Sequence, residues 1–216
     1  MIGCIFRNLV RDSVCWLVAV AFLLAAPVLA APVDNASKFV ESLGNDAVAI
    51  LSNKKFSKEV KRKKIEQVFR DNVDIEWIGR FVLGRFWRQV TDDQKRRYFE
   101  EYEKFLVEHY ATRFADYSSG SFTITGARDD GDNEYVISMQ IKSGEAGSGP
   151  ILVDYRVRAK DREGKSGFVV FDIIVEGVSM ITTQRSEFNS VLSSKGMDYL
   201  IAQLANKSNI DINKDH

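Results

Sequence analysis

The residues that could carry acid–base chemistry are few and scattered along the chain. There are two histidines, His109 and His216, and histidine is the usual proton relay near neutral pH. His109 lies within the apolar stripe of a predicted long helix, a setting more typical of a packed histidine than of a catalyst. Only a pairing of His109 with Tyr102 or Tyr155 would resemble an enzyme site. No serine stands in a Gly-x-Ser-x-Gly elbow and no glycine-rich phosphate loop occurs, so the motifs do not indicate a hydrolase or a nucleotide-dependent enzyme.

A second group of reactive side chains is acidic and runs from Asp129 to Glu134. Carboxylates suit Ca²⁺, but the run lacks the spacing of carboxylates and glycine that a calcium loop requires. It also falls between two predicted strands, where Asp, Gly and Asn are the residues that a tight turn needs. We therefore predict a turn at this place and no metal site.

A third group is the aromatic segment from Trp77 to Trp87, in which Arg80, Arg85 and Arg88 are interleaved. One interpretation is a buried connecting helix with snorkelling arginines. The other is one wall and the mouth of an apolar cavity, with the arginines near an anionic head group. Composition alone favours the first, because periodicity shows buried faces but does not show whether they leave a hollow.

The balance of acidic and basic residues bears on which classes of protein the sequence fits. Lysine and arginine together number 30, and so do aspartate and glutamate, so the formal net charge is zero. Proteins that bind nucleic acid normally carry an excess of basic residues, and this sequence has no such excess. The charge balance therefore argues against a nucleic-acid-binding protein. Hydrophobic residues make up 45% of the 216 residues, which is enough for one domain with a real core.

The first thirty residues are typical of a secretory signal peptide. Arg7 and Arg11 precede an uncharged run from Ser13 to Val33 that is apolar in its middle and ends in small residues. We place the cleavage site after Ala30, which leaves a single domain at residues 31–216. The alternative is an uncleaved membrane anchor, because the run approaches the length that spans a bilayer.

The two cysteines of the chain, Cys4 and Cys15, both precede that cleavage site. The mature chain can therefore form neither a disulfide nor a thiolate metal site. We expect a fold that depends on its hydrophobic core and needs no cofactor.

Apolar residues spaced three and four apart predict helices at both ends of the mature chain. The predicted helices cover residues 36–51, a stretch from about residue 57, residues 75–87, residues 91 to about 117, and two stretches after residue 177. Asp74 fits the N-cap of the third helix, and Thr91 with Gln94 fits a capping box before the fourth.

Between these helices the period of the apolar residues changes to two, which is typical of strands. Four runs alternate in this way, at residues 122–124, 135–141, 151–157 and 168–176. Turn residues separate them, so the strands should pair as a meander. We predict an α+β fold with N-terminal helices, a four-stranded antiparallel curved sheet and two C-terminal helices, all the helices lying against one face of the sheet.

Three stretches of the chain resemble a known family. They are Val175-Glu176-Gly177-Val178-Ser179-Met180-Ile181-Thr182-Thr183, Val82-Leu83-Gly84-Arg85-Phe86-Trp87 and Val153-Asp154-Tyr155-Arg156-Val157. The mature chain resembles, over essentially its whole length, the MlaC family, the toluene-tolerance or Ttg2-type family of periplasmic phospholipid-binding proteins. The resemblance implies an NTF2-like or cystatin-like cone that encloses an apolar cavity.

The same resemblance implies a soluble, monomeric, non-enzymatic carrier in the periplasm. Such proteins shuttle phospholipid between an outer-membrane lipoprotein–porin complex and an inner-membrane ABC transporter with an MCE-domain subunit, and so maintain the lipid asymmetry of the outer membrane. Phospholipid would be cargo and not a cofactor. Two alternatives stay open, namely an envelope adaptor without bound lipid and a small NTF2-like enzyme.

On the carrier hypothesis, a cavity lies between the sheet and the helices. Its expected lining is Val153, Tyr155, Val157, Phe171, Ile173, Val175 and Val178, opposed by Trp77, Phe81, Phe105 and Ile181. Arg80, Arg85 and Arg88 are expected to contact the head group or a partner, since they flank the aromatic segment. Each buried CH₂ is worth about 0.8 kcal/mol, so two acyl chains of roughly thirty carbons cost on the order of 20 kcal/mol to expose to water.

Overall fold

The structure is a computed structural model, and it describes residues 32–115, 120–143, 149–162 and 165–212. The predicted signal peptide with its cleavage site lies outside this part of the chain, and so does His216. Among the described helices, none combines the length and the apolar character that crossing a bilayer requires.

The described residues form six α-helices and one 3₁₀ helix. The α-helices are α1 (Pro32–Ser52), α2 (Lys58–Asn72), α3 (Ile75–Leu83), α4 (Asp92–Ala115), α5 (Met180–Lys195) and α6 (Met197–Ile212), and the 3₁₀ helix (Gly84–Gln89) lies between α3 and α4. The capping box is confirmed, since the amide of Gln94 donates to Thr91 Oγ1 at 3.3 Å and the amide of Thr91 donates to Gln94 Oε1 at 3.2 Å. Local side-chain chemistry therefore sets the start of α4.

One predicted helix is wrong in its length. The sequence pattern predicts a single helix from Ile75 to Trp87, but the α-helix ends at Leu83 and a 3₁₀ helix follows. The break is at Gly84, whose φ of 53° lies in the left-handed region that a residue without a side chain adopts at little cost. Because a 3₁₀ helix has three residues per turn, the side chains after Gly84 point in other directions than they would in a continued α-helix.

The four predicted strands are confirmed, and a short fifth strand follows them. The strands are β1 (Gly120–Gly131), β2 (Glu134–Ser143), β3 (Ile151–Arg162), β4 (Lys165–Val175) and β5 (Val178–Ser179). They form one sheet in the order β1-β2-β3-β4-β5, and every neighbouring pair is antiparallel. The predicted turn between the first two strands is also present, with positive φ at Asp132 and Asn133, which suits a two-residue hairpin loop.

Three clusters of buried hydrophobic residues hold the described part of the domain together, and the two larger ones concern the sheet and the helices around it. The first lies on the face of the sheet that α1 covers, which we call the inner face, and it includes Ala36, Val40, Tyr135, Ile137, Met139, Val157 and Val170. The second lies between the helices and includes Ile78, Tyr98, Tyr102, Leu106, Ile181, Phe188 and Leu200. Val73, between α2 and α3, packs against both clusters and pairs with Val170 of β4. The two clusters therefore meet along β4.

Candidate functional site

A small apolar cavity lies where the two clusters meet. Its volume is about 40 Å³, and it is bordered by Phe69, Val73, Ile78, Leu106, Val170, Asp172, Ile173, Met180, Ile181 and Gln184. These residues come from α2, α3, α4, β4 and α5 and from the link between α2 and α3, so the cavity lies between β4 and the helices. Pockets that hold drug-sized ligands have volumes of roughly 300 Å³ or more. An acyl chain would fit here only if the helices moved away from β4.

A tight turn and a buried carboxylate position α5 over the cavity. Glu176 and Gly177 form the turn, with φ of 49° and 80°. Asp172 is 2% exposed and accepts hydrogen bonds from Ser179 Oγ at 2.7 Å and from the amide of Ile181 at 3.3 Å. Ser179 Oγ also accepts from the amide of Thr182 and so caps the helix. The Glu-Gly-Val-Ser stretch thus fixes the start of α5 against β4.

A buried hydrogen bond satisfies the polar group on the other side of the cavity. The hydroxyl of Tyr102 in α4 donates to Gln184 Oε1 in α5 at 2.5 Å. The neighbouring Tyr98 donates to the carbonyl of Gly79 at 3.0 Å, and burial, with a smaller effect of Tyr102, raises the pKa of Tyr98 well above its ordinary value. No buried side-chain nitrogen or oxygen of the described residues lacks a hydrogen-bond partner. The walls of the cavity therefore present mainly apolar atoms.

Replacing Tyr102 with phenylalanine should lower the free energy of unfolding by about 1–2 kcal/mol, because Gln184 Oε1 loses its donor in a buried place. In a Gln184→Leu background the same change should cost less than half as much, because no acceptor is then left behind. Urea denaturation of the four proteins measures both values. Equal costs in the two backgrounds would show that the hydrogen bond contributes nothing.

Five of the predicted lining residues share the inner face of the sheet. Tyr155 pairs with Ile173 and Val153 pairs with Val175, while Val157 pairs with Val170, and partners that lie opposite each other point to the same face. Tyr155 is half-buried as a whole, but burial of its hydroxyl raises its pKa to about 12. Of these five, Ile173 borders the cavity itself.

Phe171 does not share this face of the sheet with them. Arg156 pairs with Asp172 and Val157 pairs with Val170, so Phe171 is the extra residue of a β-bulge. The bulge ends the strict alternation of β4, and Phe171 lies on the opposite face, which we call the outer face. There the guanidinium of Arg158 lies 5.0 Å from the centre of its ring.

Trp77 and Phe81 lie with Phe171 and away from the cavity. The rings of Trp77 and Phe81 stack at 5.1 Å, and Trp77 meets Phe171 edge-on at 5.3 Å. The guanidinium of Arg158 lies 4.3 Å from the centre of the Trp77 ring. The structure therefore separates these three aromatic residues from the inner-face residues with which they were grouped.

The remaining predicted lining residues divide in three ways. Ile181 is 5% exposed and borders the cavity. Phe105 is buried in the helical cluster without bordering the cavity. Val178 does not border this cavity; it belongs to β5 and 52% of its surface is exposed. The helix begins only after Val178, at Met180.

Sequence reasoning missed eight residues that border the cavity. These are Phe69, Val73, Ile78, Leu106, Val170, Asp172, Met180 and Gln184. Periodicity placed Phe69 and Leu106 on buried faces, but it contains no information on which buried face meets another element. No sequence pattern predicted that Gln184 is buried, because glutamine is a polar residue. Its burial depends on its hydrogen bond to Tyr102 in another helix.

The carboxylate of Asp74 ties α3 to the sheet. Asp74 is 5% exposed and accepts from Arg158 Nη2 at 2.9 Å and from Lys160 Nζ at 2.8 Å. Its amide donates to the carbonyl of Val170 at 2.9 Å. Asp74 is the N-cap residue of α3, as predicted, but its side chain caps nothing and binds the sheet cations instead. This one residue therefore joins two strands to the start of a helix that borders the cavity.

The protein should lose stability in acid through Asp74. Burial by itself raises the pKa of Asp74, but hydrogen bonds and charge from Lys160 and Arg158 outweigh it, so the pKa lies below its ordinary value. A lowered pKa means that the stabilisation is complete above about pH 4 and is lost as the pH falls through the folded-state pKa. Melting temperatures between pH 7 and about pH 2.5 should fall more steeply for the wild type than for Asp74→Asn. Parallel curves would contradict this prediction.

The three arginines of the aromatic segment lie on the surface, and none of them borders the cavity. Arg80 pairs with Glu76, and its guanidinium lies 5.4 Å from the centre of the Trp87 ring. Arg85 lies 5.0 Å from the ring centre of Phe86. Contact of these arginines with a head group or a partner stays a prediction.

The two tyrosines considered as partners of His109 lie in different hydrophobic clusters. Tyr102 belongs to the helical cluster and Tyr155 to the inner-face cluster, and the side chain of His109 lies outside the described part. No group of three or more His, Cys, Asp and Glu side chains in the described part could hold a metal ion.

The chain is similar in sequence to a known protein family and to one of its members. Residues 41–206 match the protein family described as MlaC protein. The intermembrane phospholipid transport system binding protein MlaC of Haemophilus influenzae is 26% identical over 133 residues, which is 61% of this chain and 61% of that protein. The match thus spans about three fifths of the relative's length.

A solved structure has a similar fold. It is that of the phospholipid-binding protein from Ralstonia solanacearum, in complex with a phospholipid. The TM-score is 0.68 at 21% sequence identity, over 82% of this chain and 99% of that one. At this identity the likeness is one of fold. Because the family match covers most of the chain, from within α1 to within α6, this protein belongs to the MlaC family.

Proposed function

We propose that this protein is a phospholipid carrier of the periplasm that holds acyl chains between the inner face of its sheet and its helices. The observation that carries the proposal is an apolar cavity between β4 and the helices, whose two polar side chains, Asp172 and Gln184, bond within the protein. The names of the Haemophilus and Ralstonia proteins, which refer to phospholipid transport and binding, support it.

The cavity of about 40 Å³ must enlarge to accept a chain. Enlargement would separate α3 and α5 from β4, because Ile78, Ile181 and Ile173 border the cavity on those three elements. The free-energy cost of this separation would be offset by the burial of the acyl chains. Enclosing them stabilises one phospholipid by on the order of 20 kcal/mol relative to water. Phospholipid would thus select an open conformation that is rare without it.

The carrier would act without chemistry of its own. Nothing in the sequence resembles a nucleotide-binding loop, so the direction of transport would come from partners. We propose an MCE-domain subunit of an inner-membrane ABC transporter and an outer-membrane lipoprotein–porin complex as these partners. Cargo would leave when a partner binds the chains better or opens the cavity.

Native mass spectrometry tests the proposal directly. The mature domain, residues 31–216, would be purified without detergent from the envelope fraction. We expect a discrete added mass that fragments to glycerophospholipid, with several head groups represented, because a cavity of this kind encloses the tails. A protein that stays without lipid after incubation with phospholipid vesicles would favour an envelope adaptor, and turnover of a lipid ester would favour an enzyme.

Charge reversal of Arg80, Arg85 and Arg88 to glutamate should slow the transfer of phospholipid to a partner at least about tenfold, because it places like charges at the contact. Transfer of fluorescent phospholipid from the loaded protein to membranes containing the partner measures this rate. Unchanged transfer would rule out a role for the three arginines. The melting temperature of the variant should stay near that of the wild type, since all three side chains are exposed.

A further inference from the structure

Three arginines that lack a carboxylate partner are gathered at one place on the surface. Among the arginines whose side chains the structure describes, all but Arg85, Arg88 and Arg185 form an ion pair. The paired ones are Arg62, Arg70, Arg80, Arg96, Arg97, Arg128, Arg156 and Arg158. Three arginines thus keep an uncompensated positive charge in a chain whose formal net charge is zero.

The fold brings these three arginines together around Gly84. A Cβ atom at Gly84 would lie 3.1 Å from both Nε and Nη2 of Arg185, so the guanidinium of α5 packs directly on that turn. Arg85 and Arg88 follow on the 3₁₀ helix, where residues three apart eclipse each other and share one side. We call Phe81, Gly84, Arg85, Arg88 and Arg185 the Gly84 surface.

Aromatic rings support the guanidinium groups of the Gly84 surface. Arg185 lies 4.7 Å from the ring centre of Phe81, and Arg85 lies 5.0 Å from that of Phe86. A stacked guanidinium keeps its N–H edge directed outward, where it can bind a carboxylate with two parallel hydrogen bonds. Arginine and aromatic residues in this combination are typical of the energetic centres of protein interfaces.

We infer that the Gly84 surface is a docking site for an acidic protein surface, whose carboxylates bind Arg85, Arg88 and Arg185. The inference rests on the proposed function, because it assigns to one surface the partner contact that a carrier needs. The complement of three unpaired cations is a set of carboxylates or phosphates.

The aromatic residues decide between a protein and a membrane. A membrane-binding surface inserts free Trp and Phe rings among lipid head groups. Here the rings lie beneath cations, since Trp87 is flanked by Arg80 and Lys95 at 5.4 and 5.1 Å, and Phe86 by Arg85. The rings are therefore not free to insert, and a protein with exposed carboxylates fits the surface better.

The Gly84 surface also joins two of the helices that border the cavity, α3 and α5. Arg185 follows Gln184 in α5, and Phe81 lies one turn after Ile78 in α3, while Gln184 and Ile78 both border the cavity. A partner that binds Arg185 and Arg85 would hold both walls at once. Docking at this place therefore has a direct mechanical connection to the part of the protein that must move to release cargo.

The test compares two triple charge reversals in the full mature protein. Arg85→Glu/Arg88→Glu/Arg185→Glu removes the Gly84 surface, and Lys54→Glu/Lys55→Glu/Lys58→Glu changes the charge by the same amount at exposed lysines outside it. The probes are the purified soluble domain of the MCE-domain subunit, the outer-membrane complex in detergent, and vesicles that contain phosphatidylglycerol. Binding is measured by titration at two salt concentrations.

We expect the arginine triple to weaken binding to at least one protein probe about tenfold or more, and the lysine triple to weaken it less than about twofold. Wild-type binding should weaken as salt is raised. Equal losses in the two triples, or no loss in either, would overturn the inference. Arginine-dependent binding to the vesicles without binding to a protein probe would overturn it in favour of a membrane surface.

Two further measurements keep the result interpretable. If the triple variant does not fold, Arg85→Glu/Arg88→Glu decides instead, because both side chains are exposed and should tolerate the change. Phospholipid content by native mass spectrometry is recorded for each protein. A wild type that docks through the arginines but never carries phospholipid contradicts the proposed function alone, and one that carries phospholipid without needing the arginines to dock contradicts this inference alone.

Discussion

Replacing Met180 with aspartate is expected to abolish the retention of phospholipid while the domain stays folded. Met180 is the first residue of α5 and borders the cavity. A carboxylate is favourable in the first turn of a helix, but acyl chains that fill the cavity would have to bury it. Burying an unpaired carboxylate costs several kcal/mol, so the affinity for phospholipid should fall at least about a hundredfold.

The matched control is Thr183→Asp, which places the same charge in the first turn of the same helix on a side chain exposed to solvent. Its phospholipid content should equal that of the wild type by native mass spectrometry after purification. Met180→Gln gives a milder polar change if the aspartate variant fails to fold by circular dichroism. A folded Met180→Asp protein that retains its full complement of phospholipid would show that the chains do not occupy this cavity.

Replacing Asp74 with alanine is expected to have the largest effect on stability. The carboxylate binds both Arg158 and Lys160, and these cations would be left beside the buried start of α3 without it. Since their side chains keep some contact with water, at 18% and 40% exposure, we expect a loss of about 2–4 kcal/mol rather than the full cost of a buried pair. In a domain of this size that is a fall of roughly 5–12 °C in melting temperature.

Glu76→Ala is the control for that experiment, because it removes an ion pair with Arg80 that is exposed to solvent. Its melting temperature should change by about 1 °C or less. Similar effects for the two variants in a calorimetric scan would mean that Asp74 is no more than a surface charge. The distinction matters for the proposed function, in which the helix that Asp74 positions moves when the cavity enlarges.

The elements of this fold could be predicted because local patterns determine them. Alternation predicted β2 and β3 with few errors, and the box of Thr91 and Gln94 predicted the start of α4. The pairing of Tyr155 with Ile173 on one face also follows from alternation and from short turns. Each of these features depends on residues that are near in sequence or on a meander of adjacent strands.

The site could be predicted only in part, because its geometry depends on contacts between distant residues. A single bulge moved Phe171 to the outer face, where it meets Trp77 and Arg158. The positive φ of Gly84 ended α3 early and brought Arg185 onto the turn. Neither the bulge nor the helix end changes the average hydrophobic pattern of its segment. The periodicity of apolar residues therefore could not predict either of them.

The sequence by itself determined the fold class, the strands and most helix limits, and its Glu-Gly-Val-Ser stretch carried the family resemblance. The tertiary structure alone decided which buried faces meet, how large a space they leave, and which arginines find a carboxylate. The physical reason is that secondary structure follows from backbone preferences and the burial of one face, which act over a few residues. A cavity and a charged surface depend instead on how elements that are distant in sequence pack against each other. A one-residue shift in one strand is enough to change them.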